Sequence, residues 1–248
     1  MLRVSLNSPV VTITLDDAAR RNALGRSMFD LLDAAIAAVR ASRTARVLVL
    51  SGRGPAFCAG FDLAAVVEEP TLMREFIERL STLIRGLRRL DIPVIAAVRG
   101  PALAGGCALL SGCDFVMVEP GVTLGYPVHR IGVSPAVTTP TLMAALGPGR
   151  TRALLLSGEL LAGAAALRAG LATHLVPDSA ELDASAASLA ERLADKGPHA
   201  LAATKRWLNE LDGSADDSRF DQAIAASTAL IDGEEARRLL TEFWSTRR

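Results

Sequence analysis

Aromatic residues account for only 4% of the 248 residues, with a single Tyr, and the chain carries three His and three Cys. Cys58, Cys107 and Cys113 form neither a CxxC pair nor a set spaced with the histidines as metal ligands, and their odd number argues against a disulfide framework. A reducing cytoplasm is therefore the expected compartment, with no metal and no permanently bound cofactor. Net charge is missing too: Lys plus Arg equals Asp plus Glu at 27 each, so no bulk field draws the chain to nucleic acid, a membrane surface or a polyanion. An anionic ligand has to be held by local groups. Long apolar runs are absent as well. The most hydrophobic stretch, residues 92–110, is broken by Pro93, Arg99, Gly100 and Pro101, and the opening MLRVSLNSPV has no apolar segment of the secretory kind. Neither membrane spanning nor secretion is expected. What the chain has in quantity is aliphatic: half of it is hydrophobic, enough for one substantial core or one core plus a small helical appendage.

Apolar periodicity divides the chain into two halves. Val10-Val11-Thr12-Ile13-Thr14-Leu15 alternates as a strand, and residues 27–41 place Met28, Leu31, Leu32, Ala35, Ile36 and Val39 at helical spacing. The pattern recurs as a strand over 46–50, a helix over 71–87, a strand over 92–98, a short glycine-initiated helix, a strand over 114–118 and a helix over 135–146. Strands interleaved with helices predict an α/β fold with largely parallel pairing. Beyond Arg150 the reading is nearly all helix, at about 151–157, 164–169, 180–194, 198–211, 219–231 and 234–244.

Two glycine-containing turns stand out. The first, residues 51–63, follows the apolar run Val47-Leu48-Val49-Leu50 and includes Ala56-Phe57-Cys58-Ala59-Gly60-Phe61-Asp62-Leu63. The second, residues 98–110, includes Gly100-Pro101-Ala102-Leu103-Ala104-Gly105-Gly106-Cys107-Ala108 and opens a helix. Glycine allows a ligand atom close to the backbone, and the first N–H groups of a helix lack internal partners, so such turns can receive an electron-rich oxygen. Neither turn is a P-loop or a dinucleotide fingerprint.

In order and spacing these segments resemble the crotonase superfamily, also called the enoyl-CoA hydratase/isomerase family. AFCAGFDL and GPALAGGCALLSGCDF carry the resemblance. Arg21-Asn22-Ala23-Leu24, Gly125-Tyr126-Pro127 with Arg130-Ile131-Gly132, and Glu234-Glu235-Ala236-Arg237 ahead of Phe243 support it. The resemblance implies a spiral of ββα units over about residues 1–190 and a helical region over 191–248 used in assembling a homotrimer or a dimer of trimers. It implies a coenzyme A thioester as substrate or ligand, an acyl-CoA held between the two turns. By position, it places oxyanion-binding N–H groups on Phe61 and Gly105. It sets Arg21, Asn22, Ala23, Leu24, Ala59, Asp62 and Leu63 along the CoA, Tyr126 at the pocket wall, and Phe243 reaching the ligand from the last helix. Arg20 and Arg21 are either phosphate contacts or a solvated face.

Hydratases of the family use two glutamates as acid and base. The matching positions here are Ala108, three residues beyond Gly105 on the same helix face, and Val128, after the Gly125-Tyr126-Pro127 segment. Neither side chain transfers a proton, so a poor hydratase is expected even with the oxyanion site intact. Residues 133–139 contain no carboxylate to take their place. His129 has the most suitable ordinary pKa among nearby side chains, and its place beside the glutamate position leaves catalysis and a packing role both open. The expected function is an acyl-CoA-handling enzyme that stabilises a thioester enolate, and the alternative is a non-catalytic acyl-CoA carrier.

Overall fold

The computed structural model of the protein describes residues 1–6 and 9–245. β1 (Leu2–Ser5) and β2 (Val10–Leu15) pair antiparallel, and α1 (Arg26–Ala41) carries the chain to β3 (Val47–Gly52), parallel to β2. After α2 (Leu63–Glu68) and α3 (Leu72–Arg88) come β4 (Val94–Val98), the two-residue β5 (Ala102–Leu103) and α4 (Gly105–Leu110). β6 (Phe115–Val118), β7 (Thr123–Gly125) and two 3-10 turns, Pro127–Ile131 and Pro135–Thr138, lead into α5 (Thr139–Ser157). β8 (Leu160–Ala162), α6 (Gly163–Ala169) and β9 (His174–Leu175) follow. The chain then runs through α7 (Leu182–Ala194), α8 (Pro198–Asp212), α9 (Asp217–Thr228) and α10 (Glu234–Ser245). The strands form a six-stranded sheet ordered β1-β2-β3-β4-β6-β9, parallel except for its first pair, and a three-stranded sheet ordered β5-β7-β8. The α/β expectation holds.

The unbroken apolar runs of β3 and β4 follow from burial on both faces, as in parallel sheets generally. Leu48, Leu50, Val94, Ala96 and Val98 face the main core under α1 and α3. Their alternates Val47, Val49, Ile95 and Ala97 face Leu182, Ala186, Leu189, Ala190 and Leu193 of α7. The strand expected from residue 92 begins instead at Val94: Pro93 has no N–H for the ladder, and only its carbonyl is used, accepting from Leu48 N at 2.9 Å.

A second difference lies between residues 135 and 157. The two helices expected there are one 3-10 turn followed by a helix that bends at Gly147, where φ is 72°, just before Pro148. Glycine accepts that backbone and proline needs no N–H donor at the start of the next turn, so the halves abut without a loop.

α3 decides what the site looks like from one side. Leu72, Met73, Phe76, Ile77, Leu80, Leu83, Ile84 and Leu87 are buried along it. Each contributes roughly 1.5–3 kcal/mol by leaving water. In the C-terminal half, Lys205 Nζ on α8 donates to Ile92 O at 2.9 Å and to Asp114 at 2.6 Å, tying that helix to the ends of β4 and β6. Phe220 on α9 is buried beneath the guanidinium groups of Arg85 and Arg89. Positions 246–248 of the expected C-terminal region lie outside the described residues.

Candidate functional site

The two glycine turns are joined directly. Cys58 N donates to Pro101 O at 3.3 Å and Leu103 N to Cys58 O at 3.0 Å, a short parallel bridge that lays residues 58–61 beside 102–105. A Cβ on Gly106 would stand 2.2 Å from Cys58 O, so only glycine permits this approach. On its other side the first turn is stitched to the segment carrying Arg21-Asn22-Ala23-Leu24. Ala59 N donates to Arg21 O at 3.0 Å, Leu24 N to Gly60 O at 2.8 Å, and Asp62 N to Leu24 O at 3.1 Å. With the Gly60 carbonyl and the Asp62 N–H both turned toward Leu24, strand alternation turns the intervening Phe61 N–H the opposite way. The Phe61 ring is held by Phe76 at 5.6 Å and Phe29 at 6.3 Å, so three of the chain's few aromatics fix this one turn.

Asn22 explains the stitching. Its backbone is left-handed at φ 56°, a conformation asparagine tolerates better than most residues, and its side chain is buried. Nδ2 donates to the carbonyls of Arg53, Ala56 and Phe57 at 2.9, 2.9 and 3.0 Å, while Oδ1 accepts from Asp17 N at 2.7 Å. The side chain is consumed in clamping the loop that precedes Phe61.

At the second turn, Ala104 takes φ 51° and ψ −117°, a glycine-like conformation of the kind that costs on the order of 1–3 kcal/mol. Its N–H donates to Gly125 O and its carbonyl accepts from Ala108 N, both at 2.9 Å. Gly105 therefore starts α4 with an N–H that no earlier turn receives. Among the described residues, neither Phe61 N nor Gly105 N has a hydrogen-bond partner.

Both residues line one cavity of about 70 Å³. Ala59, Leu63, Ala108, Tyr126 and Val128 join them there, with Met73, Ile77 and Leu80 of α3 and residues from 131 to 138 completing the wall. None of the lining residues is a carboxylate, an imidazole, a lysine or an arginine. The polar atoms present are already engaged. Tyr126 OH donates to Cys107 O at 3.2 Å, Thr138 Oγ1 to Pro135 O at 2.9 Å, and Ser134 Oγ accepts from Ala136 N at 3.3 Å. Burial holds the Tyr126 phenol well above its ordinary pKa, and it pushes the Cys107 thiol up to about 12, so neither ionises near neutrality. Cys107 is therefore a packing residue of α4.

The remaining expected residues lie elsewhere. His129 is exposed and outside the cavity lining, its Nδ1 4.0 Å from where a Cβ on Gly158 would stand. The 3-10 turn sends the Val128 side chain inward and the next one out. Ala23 and Asp62 line a neighbouring surface cleft of about 480 Å³ together with Arg20, Arg26 and Glu69. Asp62 also caps α2, accepting from Ala65 N at 3.3 Å. Arg26 is engaged by Glu69 at 3.1 Å and Glu75 at 2.9 Å, whereas Arg20 and the exposed Arg21 have no ion-pair partner among the described residues. Leu24 is buried in the main core, and Phe243 packs half-buried against it from α10, outside the cavity lining. The contribution of α3 went unread in the sequence. Its periodicity was visible, but nothing in the spacing says which buried residues face a ligand. Among the described residues no group of His, Cys, Asp and Glu could hold a metal ion, and no helix is long and apolar enough to cross a membrane.

Comparison with known proteins identifies the family. A family model described as Enoyl-CoA hydratase/isomerase matches residues 5–248. A Thermus thermophilus protein assigned, by name only, as an enoyl-CoA hydratase is 34% identical over 242 residues, covering 96% of this chain and 95% of that protein. The 2,3-dehydroadipyl-CoA hydratase of Escherichia coli is 30% identical over 247 residues, covering 99% of this chain and 96% of its own. Among solved structures, an enoyl-CoA hydratase/isomerase from Mycobacterium paratuberculosis superposes with a TM-score of 0.88 at 26% identity, covering 97% of each chain. On sequence, fold and the joined turns together, the chain belongs to the enoyl-CoA hydratase/isomerase family.

Proposed function

We propose that the protein holds an acyl-CoA thioester with its carbonyl oxygen against the N–H groups of Phe61 and Gly105, which stabilise the negative charge that oxygen gains on enolisation. The observation that carries this reading is two unpartnered main-chain donors opening on one apolar cavity. One preorganised donor of this kind is worth on the order of 3 kcal/mol in a transition state. The thioester's CoA portion runs along the cleft of Ala23 and Asp62, with Leu63 at the cavity mouth and the unpaired Arg20 and Arg21 available to phosphates. Asn22 and Leu24 then act from behind, by shaping the turn. Ala108 and Val128 supply no acid or base, and each missing group is worth roughly 10²- to 10⁴-fold, so hydration is slow. The reaction is instead one in which the substrate or water carries the proton: an isomerisation, a decarboxylation or a hydrolysis. The protein works as a trimer or a dimer of trimers built through its C-terminal helices, in a reducing cytoplasm that suits three free, buried cysteines.

A second reading, a non-catalytic acyl-CoA carrier, is favoured by the absence of any ionisable side chain other than Tyr126 on the cavity wall. Two measurements decide. Calorimetry with butyryl-CoA and its S-butyl thioether analogue is expected to show the thioester binding roughly tenfold tighter, the worth of two hydrogen bonds of about 0.5–1.5 kcal/mol each. Equal affinities would sink the oxyanion site. Assays across enoyl-, malonyl- and hydroxyacyl-CoA esters then separate the readings, since turnover of any of them establishes an enzyme and tight binding without turnover establishes a carrier.

A further inference from the structure

We infer that the protein has a second ligand site, on the face of the six-stranded sheet covered by α7, and that this site takes a small organic phosphate through Arg3, Arg53 and Arg99. The inference does not depend on the thioester reading, whose cavity belongs to the main core on the sheet's other face. On the α7 face, three neighbouring strands change character toward their carboxyl ends. β2 presents Val10, Thr12 and Thr14, β3 presents Val47, Val49 and Ser51, and β4 presents Ile95 and Ala97 with Arg99 just beyond its end. The apolar residues pack against Leu182, Ala186 and Leu189 of α7, whereas Thr12, Thr14 and Ser51 stay half-buried because the helix does not reach over them.

Strand register sets the polar ends in one row. Arg3 of β1 stands opposite Thr14, Thr14 beside Ser51, and Ser51 beside Ala97, two residues before Arg99. Neighbouring strands lie roughly 4.8 Å apart, so the row from Arg3 to Ala97 spans roughly 14 Å. A cleft of about 480 Å³ lies over this row, with Arg53 joining the lining and Asp183 of α7 at its edge. That volume suits a small ligand, for which pockets of roughly 300–1,000 Å³ are usual.

The chemistry of the cleft selects the ligand. The chain as a whole carries no net charge, yet three guanidinium groups meet here. Among the described residues they have two carboxylate partners: Asp16 is hydrogen-bonded to Arg3 and lies 3.8 Å from Arg53, and Asp183 lies 3.3 Å from Arg99. One positive charge is left over. On the floor Thr14 Oγ1 and Ser51 Oγ are 3.0 Å apart, and whichever donates to the other, one hydroxyl hydrogen remains for a ligand. Guanidinium forks match phosphate oxygens in pairs, and a phosphate has a further oxygen for the hydroxyl. The half-buried hydroxyls beside it suit a sugar or polyol and not a hydrocarbon.

The test is calorimetry with ribose 5-phosphate and with ribose, at one ionic strength set by potassium chloride. Ribose 5-phosphate is expected to bind, more weakly as salt is raised, and ribose to give no heat of binding. Arg3→Gln with Arg53→Gln changes two exposed side chains and is expected to weaken ribose 5-phosphate at least about tenfold, a usual loss for hydrogen bonds to a charged group. Arg20→Gln with Arg21→Gln, the pair available to CoA phosphates, is expected to leave that affinity where it was. Absence of binding overturns the site, and so does ribose binding as tightly as its phosphate. A loss that follows Arg20 and Arg21 instead of Arg3 and Arg53 also overturns it, by assigning the phosphate to the CoA cleft. The thioester-over-thioether preference is read separately, so either proposal can fail while the other stands.

Discussion

The cradle formed by the two turns and the wall that faces it obtain their chemistry from different parts of the chain. The cradle is main chain: Phe61 and Gly105 N–H are aimed by the bridge at Cys58 and Ala102, by the Asn22 clamp and by the left-handed backbone of Ala104. The wall is side chain, and at Ala108 and Val128 it is apolar and unable to move a proton. Backbone donors persist through side-chain substitution as long as the packing that aims them is kept, whereas an acid or base vanishes with a single replacement. Under the proposed function, holding a thioester and transferring its protons are therefore carried by separate parts of the chain.

The largest expected effect restores the wall. Ala108→Glu combined with Val128→Glu is expected to raise crotonyl-CoA hydration by at least 10²-fold over the parent, reaching 10⁴-fold or more if both groups act. An unchanged hydration rate in a folded double variant would mean that the cradle does not present its thioester to a water. The next effect breaks the cradle. Gly106→Ala pushes a methyl group into Cys58, whose carbonyl oxygen would stand 2.2 Å away and whose Cβ 2.8 Å away, and is expected to cost at least about 3 kcal/mol in urea unfolding. A loss under 1 kcal/mol would show that the turns can part.

Asn22→Ala sharpens the comparison from behind the cradle. It leaves three carbonyls and one N–H without their partner, and a loss of about 2–3 kcal/mol is expected. Because the clamp aims Phe61, the thioester-over-thioether preference should fall in the same variant, while affinity for CoA itself holds.

The most gradual effect is alkaline. Burial pushes the Cys58, Cys107 and Cys113 thiols up to about 12, and unfolded thiols ionise near 8.5. A raised folded-state pKa contributes stability that is complete below about pH 8.5 and is lost as pH rises toward about 12. The melting temperature is expected to decline steadily from pH 8.5 to 11. Cys58→Ala with Cys107→Ala should lessen the slope, and a slope untouched by that pair would assign the decline elsewhere.

Much of the architecture could be read in advance because burial leaves period and composition as its trace. The two-sided strands β3 and β4, the amphipathic α1 and α3, and the glycines at turns are local consequences of local requirements. The very short strands β5, β8 and β9 left no such trace, since two or three residues carry no period and pair only where another strand happens to lie. The same limit divided the site. Ala59, Phe61, Gly105, Ala108, Tyr126 and Val128 were legible because fixed spacing within two turns and one segment brings them to a single cavity. Asn22 and His129 were not. The family resemblance sets both beside the expected ligand, while a side chain's direction depends on left-handed backbone in one case and on the phase of a 3-10 turn in the other.

The sequence by itself determined the family resemblance, the α/β order of elements and the apolar identity of Ala108 and Val128, because these are properties of residue identity and spacing. Only the tertiary structure decided that, among the described residues, the N–H groups of Phe61 and Gly105 have no partner and that α3 supplies the facing wall of the cavity. Those facts depend on which segments meet across long stretches of chain. Hydrogen bonds and excluded volume settle such meetings only after the chain has folded.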